Sequence, residues 1–475
     1  MNSGTTFPGT FPAATGLAGR SPASRIGSRL LLPLASLLLA TAWPAICPAQ
    51  MGGFGFGGAV GGISIDADGI VRNLDPQAVS ALADERRRLL GGSSATKVTA
   101  GALRKVSLAR VVAAVEKAAA AGTPVPDEIV FLGGLERVTH VFVDPDGHDI
   151  VLAGPGDAAA VDAAGNVVAA TSRRPLLKLE DLVVALRAID AARAGGIKCS
   201  IDPTPEGVTN LQAFLRSQKT IGANPDATLV AMQDALGPQQ VTVAGVPGDS
   251  RFARVLVAAD YRLKRLGMGL EPSGLPDLPS YLSMVPAGTS NAAALPRFWL
   301  EADYDPITRD PDELAWRING RRMKCLTEND LFGADGTRKA SGPGDAAAQQ
   351  WCRLMTTHYD RLAAKQPVFG ELANCVDLAV VAALVRGRQL ADRAGLDLEP
   401  LLDPQRLPLP AHGTPTSVPT VAHGVKKGSR WVVSASGGVL FQPWSFASRT
   451  NDSADVAPLR TAALAARPAS GCSWD

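Results

Sequence analysis

Residues 239–269 read QQVTVAGVPGDSRFARVLVAADYRLKRLGMG, and this stretch predicts a strand, a turn and a helix in succession. The valine-rich run at 241–246 has the β-branched side chains that are typical of a strand. Asp249 or Ser250 stands where a helix N-cap accepts free backbone N–H groups. Apolar residues then recur at intervals of three and four across 252–266, which predicts a helix with one buried face.

The same succession of strand and helix occurs upstream of this stretch. Residues 198–201 predict a short strand, the sequence DPTPEG at 202–207 leads into a helix, and a second helix spans 224–237. Leu179–Arg193 precedes them as an amphipathic helix. Such alternation predicts an α/β or α+β fold with a layered mixed sheet and flanking helices. Parallel and mixed strand pairing both remain open.

Several hairpins complete the predicted elements. Turn sequences at 66–69, 144–147 and 162–165 each lie between short apolar strands. Strands are also predicted at Ile129–Leu132 and Arg297–Ala302. The preferred two-residue turn Asn319-Gly320 predicts a hairpin over 314–327. A helical hairpin is predicted in the C-terminal third, from apolar stripes at 346–364 and 368–394 with Pro367 between them.

A chain of 475 residues with 46% hydrophobic residues is long enough for two or three domains. Changes in composition divide it into consecutive parts. We predict a signal peptide at 1–49, a Gly-rich mobile segment at 50–62, a hairpin and helix part at 63–175, an α/β part at 176–290, a part with the hairpin and the helical hairpin at 291–399, and a Pro-rich linker, short hairpin and disordered tail at 400–475. The tail itself is 449–475, and its removal should cost little stability.

The overall charge gives no reason to expect nucleic acid or an anionic membrane as a partner. The chain has 47 Lys and Arg against 45 Asp and Glu, a formal net charge of +2. Aromatic residues make up 5% of the chain and are not interleaved with a basic patch.

The N-terminal segment has the pattern of an export signal. Three arginines precede an apolar run at 30–42, which is too short to span a bilayer but matches the core of a signal peptide. Cleavage after Ala49 would make Gln50 the new N-terminus. Lipidation at Cys47 is an alternative, although the bulky Ile46 before it disfavours that processing. We therefore expect an exported protein, periplasmic or extracellular, with no transmembrane anchor after signal removal.

Five cysteines remain once the predicted signal is removed: Cys199, Cys325, Cys352, Cys375 and Cys472. An odd number in an oxidising compartment leaves at least one thiol unpaired or paired with another chain. No two of them have the spacing of a zinc site. Burial as small apolar residues fits the first four as well as disulfides do, so the connectivity stays open.

Five short sequence motifs occur together in this chain: GISIDADG at 62–69, HDIVLAGP at 148–155, CSIDPTPEG at 199–207, AADYR at 258–262 and NCVDLA at 374–379. In this order they resemble an exported protein family of planctomycete bacteria that carries only a domain-of-unknown-function label. The resemblance spans roughly 62–403. It implies export and a shared fold, and it brings no activity and no catalytic residues.

The two strand-to-helix turns form the sharpest candidate site. If their strands lie in one sheet, the polar residues of both turns would meet at the carboxyl ends, where open α/β sheets bind ligands. The alternative is that these residues cap helices, and capping is the favoured interpretation. The candidate ligand-binding residues are Asp202, Thr204, Glu206, Asp249, Ser250 and Arg251.

Metal binding and nucleophilic catalysis have weaker support. A hairpin would bring together His140, Asp144, Asp146, His148 and Asp149, but their spacing matches no calcium loop and Asp-Pro-Asp-Gly is an ordinary turn. We predict no metal and no cofactor. Neither GxSxG nor HExxH occurs, although a triad could still assemble from distant positions.

Two functions from different classes follow from these patterns. The first is an exported, non-enzymatic binding or envelope-associated protein with a possible envelope protein as partner. The second is a hydrolase or ligand-binding enzyme of unlisted type with its site near Asp202 and Asp249. The two hypotheses differ in whether these turns border one concave pocket.

Overall fold

A computed structural model describes residues 63–65, 71–73, 76–91, 93–96, 100–218, 226–286, 295–332, 338–421, 424–427, 430–433 and 437–475. The predicted signal peptide, its cleavage after Ala49 and the Gly-rich segment at 50–62 lie outside these ranges. The described residues belong to one compact unit that runs from Met51 to Asp475.

Most strands are short, with a few longer ones at the centre of the fold. In chain order they are β1 (Ile63–Ile65), β2 (Val71–Asn73), β3 (Gly101–Ser107), β4 (His140–Asp144), β5 (Asp149–Gly156), β6 (Ala159–Val161), β7 (Val167–Ala169), β8 (Ile197–Asp202), β9 (Gln239–Ala244), β10 (Leu295–Tyr304), β11 (Ile307–Arg309), β12 (Ala315–Arg317), β13 (Gly320–Phe332), β14 (Arg338–Pro343), β15 (Ser417–Val418), β16 (Gly424–Lys427), β17 (Arg430–Val433), β18 (Gly437–Phe441), β19 (Thr450–Asp452) and β20 (Ser473–Trp474).

The helices range from single turns to the central helix of 21 residues. They are α1 (Pro76–Leu90), α2 (Leu108–Ala121), α3 (Asp127–Val130), α4 (Leu179–Ala188), α5 (Ala192–Gly195), α6 (Pro205–Ser217), α7 (Asp226–Leu236), α8 (Arg251–Met268), α9 (Tyr281–Met284), α10 (Ala346–Thr357), α11 (Tyr359–Lys365), α12 (Pro367–Gly387), α13 (Leu390–Ala394), α14 (Glu399–Leu402), α15 (Pro443–Ala447) and α16 (Ala457–Ala465).

Two seven-stranded sheets organise the fold. Sheet I has the order β14-β13-β10-β18-β8-β9-β15, and sheet II has the order β19-β11-β12-β4-β5-β3-β20. Both are mixed, because β10 with β18 and β11 with β19 pair in parallel and the other neighbours are antiparallel. The predicted α/β or α+β class, with mixed sheets flanked by helices, is confirmed.

The centre of the core is α12, which contacts α4, α8 and α11. Its residues from 368 to 385 are all buried. Its length and apolar composition would suit a membrane span, but the whole apolar window is buried inside the protein, as in the core helix of a globular domain. On another side of this core, α8 packs on β8, β18 and β10 of sheet I.

The predicted hairpin at Asn319-Gly320 is wrong, because the chain crosses between the two sheets at this turn. β12 pairs with β4 and β11 in sheet II, whereas β13 pairs with β10 and β14 in sheet I. Gly320 has a φ of 129°, and a Cβ there would lie 2.6 Å from the backbone oxygen of Asp303. The glycine is needed for this close approach rather than for a two-residue turn.

The predicted strand at Ile129–Leu132 is also wrong. Residues 127–130 form a helical turn that begins after Pro126, with Asp127 and Glu128 in its first turn. Proline and acidic residues favour a helix start at this place, and they outweigh the β-branched composition of a four-residue segment. The apolar side chains of Ile129 and Val130 are still buried.

The predicted disordered tail is wrong as well. Residues 449–475 form β19, α16 and β20, and β20 pairs with β3 in sheet II. Trp474 is buried in a small second core with Phe142 and Val456. Tertiary pairing orders a segment that has little apolar periodicity of its own. Strands from three of the predicted parts of the chain thus share sheet II.

Candidate functional site

The two predicted strand-to-helix turns lie in one sheet, but not at the same end of it. β8 and β9 are antiparallel, with Asp202 opposite Gln240 and Lys198 opposite Ala244. Asp202 ends β8, and the turn to Asp249 follows β9 at the opposite end, roughly 13 Å away at about 3.3 Å per residue. Antiparallel pairing therefore does not bring the two turns together into one cleft.

Capping accounts for the hydroxyl residues of these turns. Thr204 is the N-cap of α6 and accepts a hydrogen bond from the backbone N–H of Gly207 at 3.0 Å. Ser250 is the N-cap of α8 and accepts from the backbone N–H of Ala253 at 3.1 Å. Each satisfies a helix N–H that would otherwise lack a partner.

The acidic residues of the turns have no common site. Glu206 and Asp249 are exposed, and Asp202 is partly buried. The backbone carbonyl of Asp249 accepts a hydrogen bond at 2.6 Å from the backbone N–H of His412, in the predicted Pro-rich linker. His412 is itself buried, and its Nε2 lies beside a carboxylate oxygen of Glu180. The Pro-rich segment is thus held against the body of the protein at this turn.

Arg251 is the predicted site residue that the structure places in an electrostatic cluster. Its guanidinium is about 95% buried and pairs with Asp181 of α4 and Glu371 of α12, the latter at 2.5 Å. Lys178 Nζ lies 3.8 Å from the same Glu371 oxygen. Arg251, Asp181, Glu371 and Lys178 form the Arg251 cluster, which joins α8, α4 and α12 inside the core.

Burial shifts the titration of the Arg251 cluster. It raises the pKa of Asp181 to about 6, even though Arg251 acts in the opposite direction. Burial, assisted by the nearby Arg251, lowers the pKa of Lys178 to about 8. Burial also opposes the charge of Arg251, but Asp181 and Glu371 outweigh it and raise the pKa of the guanidinium.

A second buried cluster lies further along α12. Arg322 of β13 donates to Asp377 at 3.1 Å and to Asn374 at 2.6 Å. The Tyr304 hydroxyl also donates to Asp377, and Asn374 donates to the backbone carbonyl of Pro175 at 2.9 Å. Burial, followed by the charge of Asp377, raises the pKa of Tyr304 well above its ordinary value.

Both clusters use one polar stripe of α12. Glu371, Asn374 and Asp377 recur every third residue on an otherwise apolar helix, and each is at most 6% exposed. That spacing places them on one face. Sequence reasoning missed this stripe, although three polar residues at a spacing of three in an apolar helix are a readable signal. Perturbed pKa values can mark an active site, but these groups face one another inside the core and not a cleft.

The hairpin that the sequence disfavours as a metal site is held by an arginine. Arg467 pairs with Asp144 and Asp149 at 2.9 and 3.0 Å, and Asp149 also accepts from the Ser107 hydroxyl at 2.6 Å. His140 stacks on Phe142. In the ranges that the structure describes, no three His, Cys, Asp or Glu side chains group as metal ligands would.

Among the described residues, the face of sheet I opposite the helices is partly exposed to solvent, and we call it the open face. On the helix side, Leu300, Val439 and Cys199 are buried, so the alternate residues of these strands point to the other side. The register there places one residue of each of five strands in a line, which we call the central row: Leu326, Trp299, Gly438, Ser200 and Thr242. Thr242 is exposed, and Trp299, Leu326 and Ser200 are partly buried.

The open face has one exposed apolar side chain beside the central row. Leu440, two residues beyond Gly438 and therefore diagonal to Trp299, is 46% exposed. Gly438 lies opposite Trp299 and has no side chain to cover the indole. A Cβ at this position would lie 2.7 Å from the backbone oxygen of Cys199, so the close strand approach requires glycine.

The charged side chains that β10 and β13 place beside the central row pair with one another. Lys324 lies 3.7 Å from Glu301 and 3.9 Å from Asp303. Arg297 lies 3.4 Å from Glu328, and its guanidinium is 5.9 Å from the centre of the Trp299 ring. The face therefore combines an apolar centre with paired charges on its β10 and β13 side, while Lys198 of β8, opposite Leu440, is exposed. Sequence analysis identified β10 as a strand but did not single out Trp299.

A cavity of about 520 Å³ lies on the helix side of sheet I, beside Trp351 and the loop after α8. Its lining includes Glu271, which pairs with Arg262 and Arg265. The Ser273 hydroxyl is 2.8 Å from the backbone oxygen of Leu278. These polar groups stabilise the loop itself.

One family model matches part of this chain, over residues 199–281. The family is described as a protein of unknown function, DUF1598. No curated protein and no solved structure matches the chain. The matched region extends from β8 to the start of α9, so it supplies β8 and β9 of the open face and the caps of α6 and α8. It supports a domain of unknown function and names no activity.

Proposed function

We propose that this chain is an exported, non-enzymatic binding protein of the cell envelope, and that its ligand contacts the open face of sheet I. Support for export comes from the sequence, where three arginines precede the apolar run at 30–42. Support for binding comes from the central row, where Trp299 is partly exposed and lies opposite Gly438, which has no side chain. Exposed aromatic and apolar side chains in a polar surround are typical of binding surfaces.

The chemistry of the central row favours an envelope glycan as the ligand. A sugar ring has C–H groups on its flat face and hydroxyls around its rim. The indole of Trp299 offers a flat apolar surface, and the hydroxyls of Ser200 and Thr242 follow in the same row. They can donate and accept hydrogen bonds beyond the edge of the ring.

The paired charges that β10 and β13 place on the open face favour an uncharged ligand there. Lys324 is near two carboxylates, and Arg297 is near Glu328, so neither cation is unmatched. An anionic ligand would have to displace one of these pairs. A neutral sugar chain can lie along the row and leave them intact.

The test measures binding of the purified chain to isolated cell-wall polysaccharide by co-sedimentation. Trp299→Ala and Leu440→Ala should each weaken binding by about tenfold or more, since central interface residues commonly contribute about 2 kcal/mol. Leu215→Ala is the matched control. Leu215 is a leucine of α6 with 43% exposure, against 46% for Leu440, and it lies outside the open face. The control variant should bind like the wild type.

Two results would contradict the proposal. If both open-face variants bind as tightly as the wild type, the binding site lies elsewhere on the protein. Absence of binding to the polysaccharide, together with retention by envelope protein or by peptides, would rule out the glycan. The enzyme hypothesis at Asp202 and Asp249 would require each turn to act by itself, because they lie at opposite ends of their strands.

A further inference from the structure

Two cysteines of neighbouring elements meet inside the core. Cys325 of β13 and Cys352 of α10 have their sulfur atoms 3.5 Å apart, and the residues are 3% and 5% exposed. The sulfur of Cys472 instead lies 3.1 Å from a carboxylate oxygen of Glu128. Among the described cysteines, Cys325 and Cys352 are the pair whose sulfurs are in contact.

We propose that Cys325 and Cys352 form a disulfide bond in the exported protein. A disulfide has a sulfur–sulfur distance of about 2.05 Å, so the two thiols need to approach by only about 1.5 Å. Small rotations of both side chains can supply this movement. The inference does not depend on the proposed binding face, because the two cysteines lie on the helix side of sheet I.

The bond forms by exchange with an external disulfide, such as glutathione disulfide or an oxidised dithiol protein of the exporting compartment. One cysteine thiolate attacks the external disulfide, forms a mixed disulfide and releases one thiol. The second cysteine then attacks the mixed disulfide and releases the other thiol. Two protein thiols are oxidised, one external disulfide is reduced, and the two protons end on the released thiols.

Burial determines when this exchange can occur. It raises the pKa of the Cys325 thiol well above its ordinary value, and contact with Cys352 acts in the same direction. Because the thiolate is the reactive form, the folded thiols react slowly. The bond therefore forms during folding, before α10 covers β13.

The bond would join two positions that are 27 residues apart in the sequence. The intervening chain includes the end of β13 and all of β14, which is an edge strand of sheet I. The cross-link would tie this edge to α10 and reduce the conformational freedom of the unfolded chain.

The test refolds the reduced full-length chain in a buffer of reduced and oxidised glutathione, blocks free thiols with iodoacetamide and digests with trypsin. Cleavage after Lys324, Arg338, Lys339 and Arg353 gives the peptides 325–338 and 340–353. We expect these two peptides to be joined, with a mass two hydrogens below their sum. Alkylation of both peptides when the refolded protein is denatured in the presence of iodoacetamide, or a link to another cysteine, would overturn the proposal.

Thermal unfolding provides the second measurement. Reduction of the refolded wild type should lower its Tm by roughly 5 °C, because a disulfide that closes a loop of this length moderately reduces the conformational entropy of the unfolded chain. Cys352→Ala should show no response to the reductant. The control Cys199→Ala replaces another buried cysteine and should keep both the cross-link and the response. Equal melting of the wild type with and without reductant would refute the bond.

Discussion

Replacing Arg251 with methionine should destabilise the protein by about 3–5 kcal/mol at pH 7. The guanidinium is the partner of both Asp181 and Glu371, and all three groups are at most 7% exposed. Methionine fills much of the same volume but removes the direct partner of two buried carboxylates. Lys178 remains 3.8 Å from Glu371, and the buried Arg86 also interacts electrostatically with Glu371. The expected loss is a large fraction of the roughly 5–15 kcal/mol that stabilises a typical domain.

Urea denaturation followed by circular dichroism can measure this loss across pH. Without Arg251, the pKa of Asp181 in the folded state should rise further above its unfolded value. The folded variant then binds more protons than the unfolded chain, so its stability should increase as the pH falls from 7 towards 5. The difference in the free energy of unfolding between the variant and the wild type should therefore decrease as the pH falls over that range.

Neutral partners and a matched arginine supply the controls. Adding Asp181→Asn and Glu371→Gln to Arg251→Met removes the unpaired charges and should recover part of the lost stability. Arg254→Met removes another buried arginine of α8, which pairs with no carboxylate in the described part of the chain, and should cost less. A cost below about 1 kcal/mol for Arg251→Met, or no recovery in the triple variant, would refute the reasoning.

Three further predictions concern the caps, the titration and the C-terminal segment. Ser250→Ala should lower the free energy of unfolding by about 1 kcal/mol, whereas Ser250→Gly should cost only a few tenths; equal losses would argue against capping. Burial, then Arg317, lowers the pKa of His140 from 6.5 to about 4, so stability from this group is present above pH 6.5 and is lost as the pH falls through 4. His140→Gln should therefore reduce the change of the denaturation midpoint between pH 6.5 and 4. A midpoint that changes with pH as it does in the wild type would contradict the lowered pKa of His140. Trp474→Ala should lower the free energy of unfolding by about 3 kcal/mol or more. An unchanged free energy of unfolding would instead support the prediction that 449–475 is a dispensable tail.

Some features of the candidate sites could be predicted from neighbouring residues, and others depend on distant parts of the chain. The helix caps at Thr204 and Ser250 could be predicted, because a cap depends on a few neighbouring residues. The role of Arg251 could not be, since its partners are 70 and 120 residues away in the sequence. Trp299 could be placed on a strand, but its exposure beside Gly438 depends on a strand that begins 138 residues later in the chain.

The sequence by itself determined the mixed α/β class, the amphipathic helices and the hairpins at 140–156 and 159–169, because periodicity and turn residues act within a few positions. Only the tertiary structure decided that β8 and β9 run antiparallel, that Asn319-Gly320 leads from one sheet to the other, and that β20 completes sheet II. Strand pairing is a non-local choice, made where the whole arrangement buries the most apolar surface and pairs the most backbone groups.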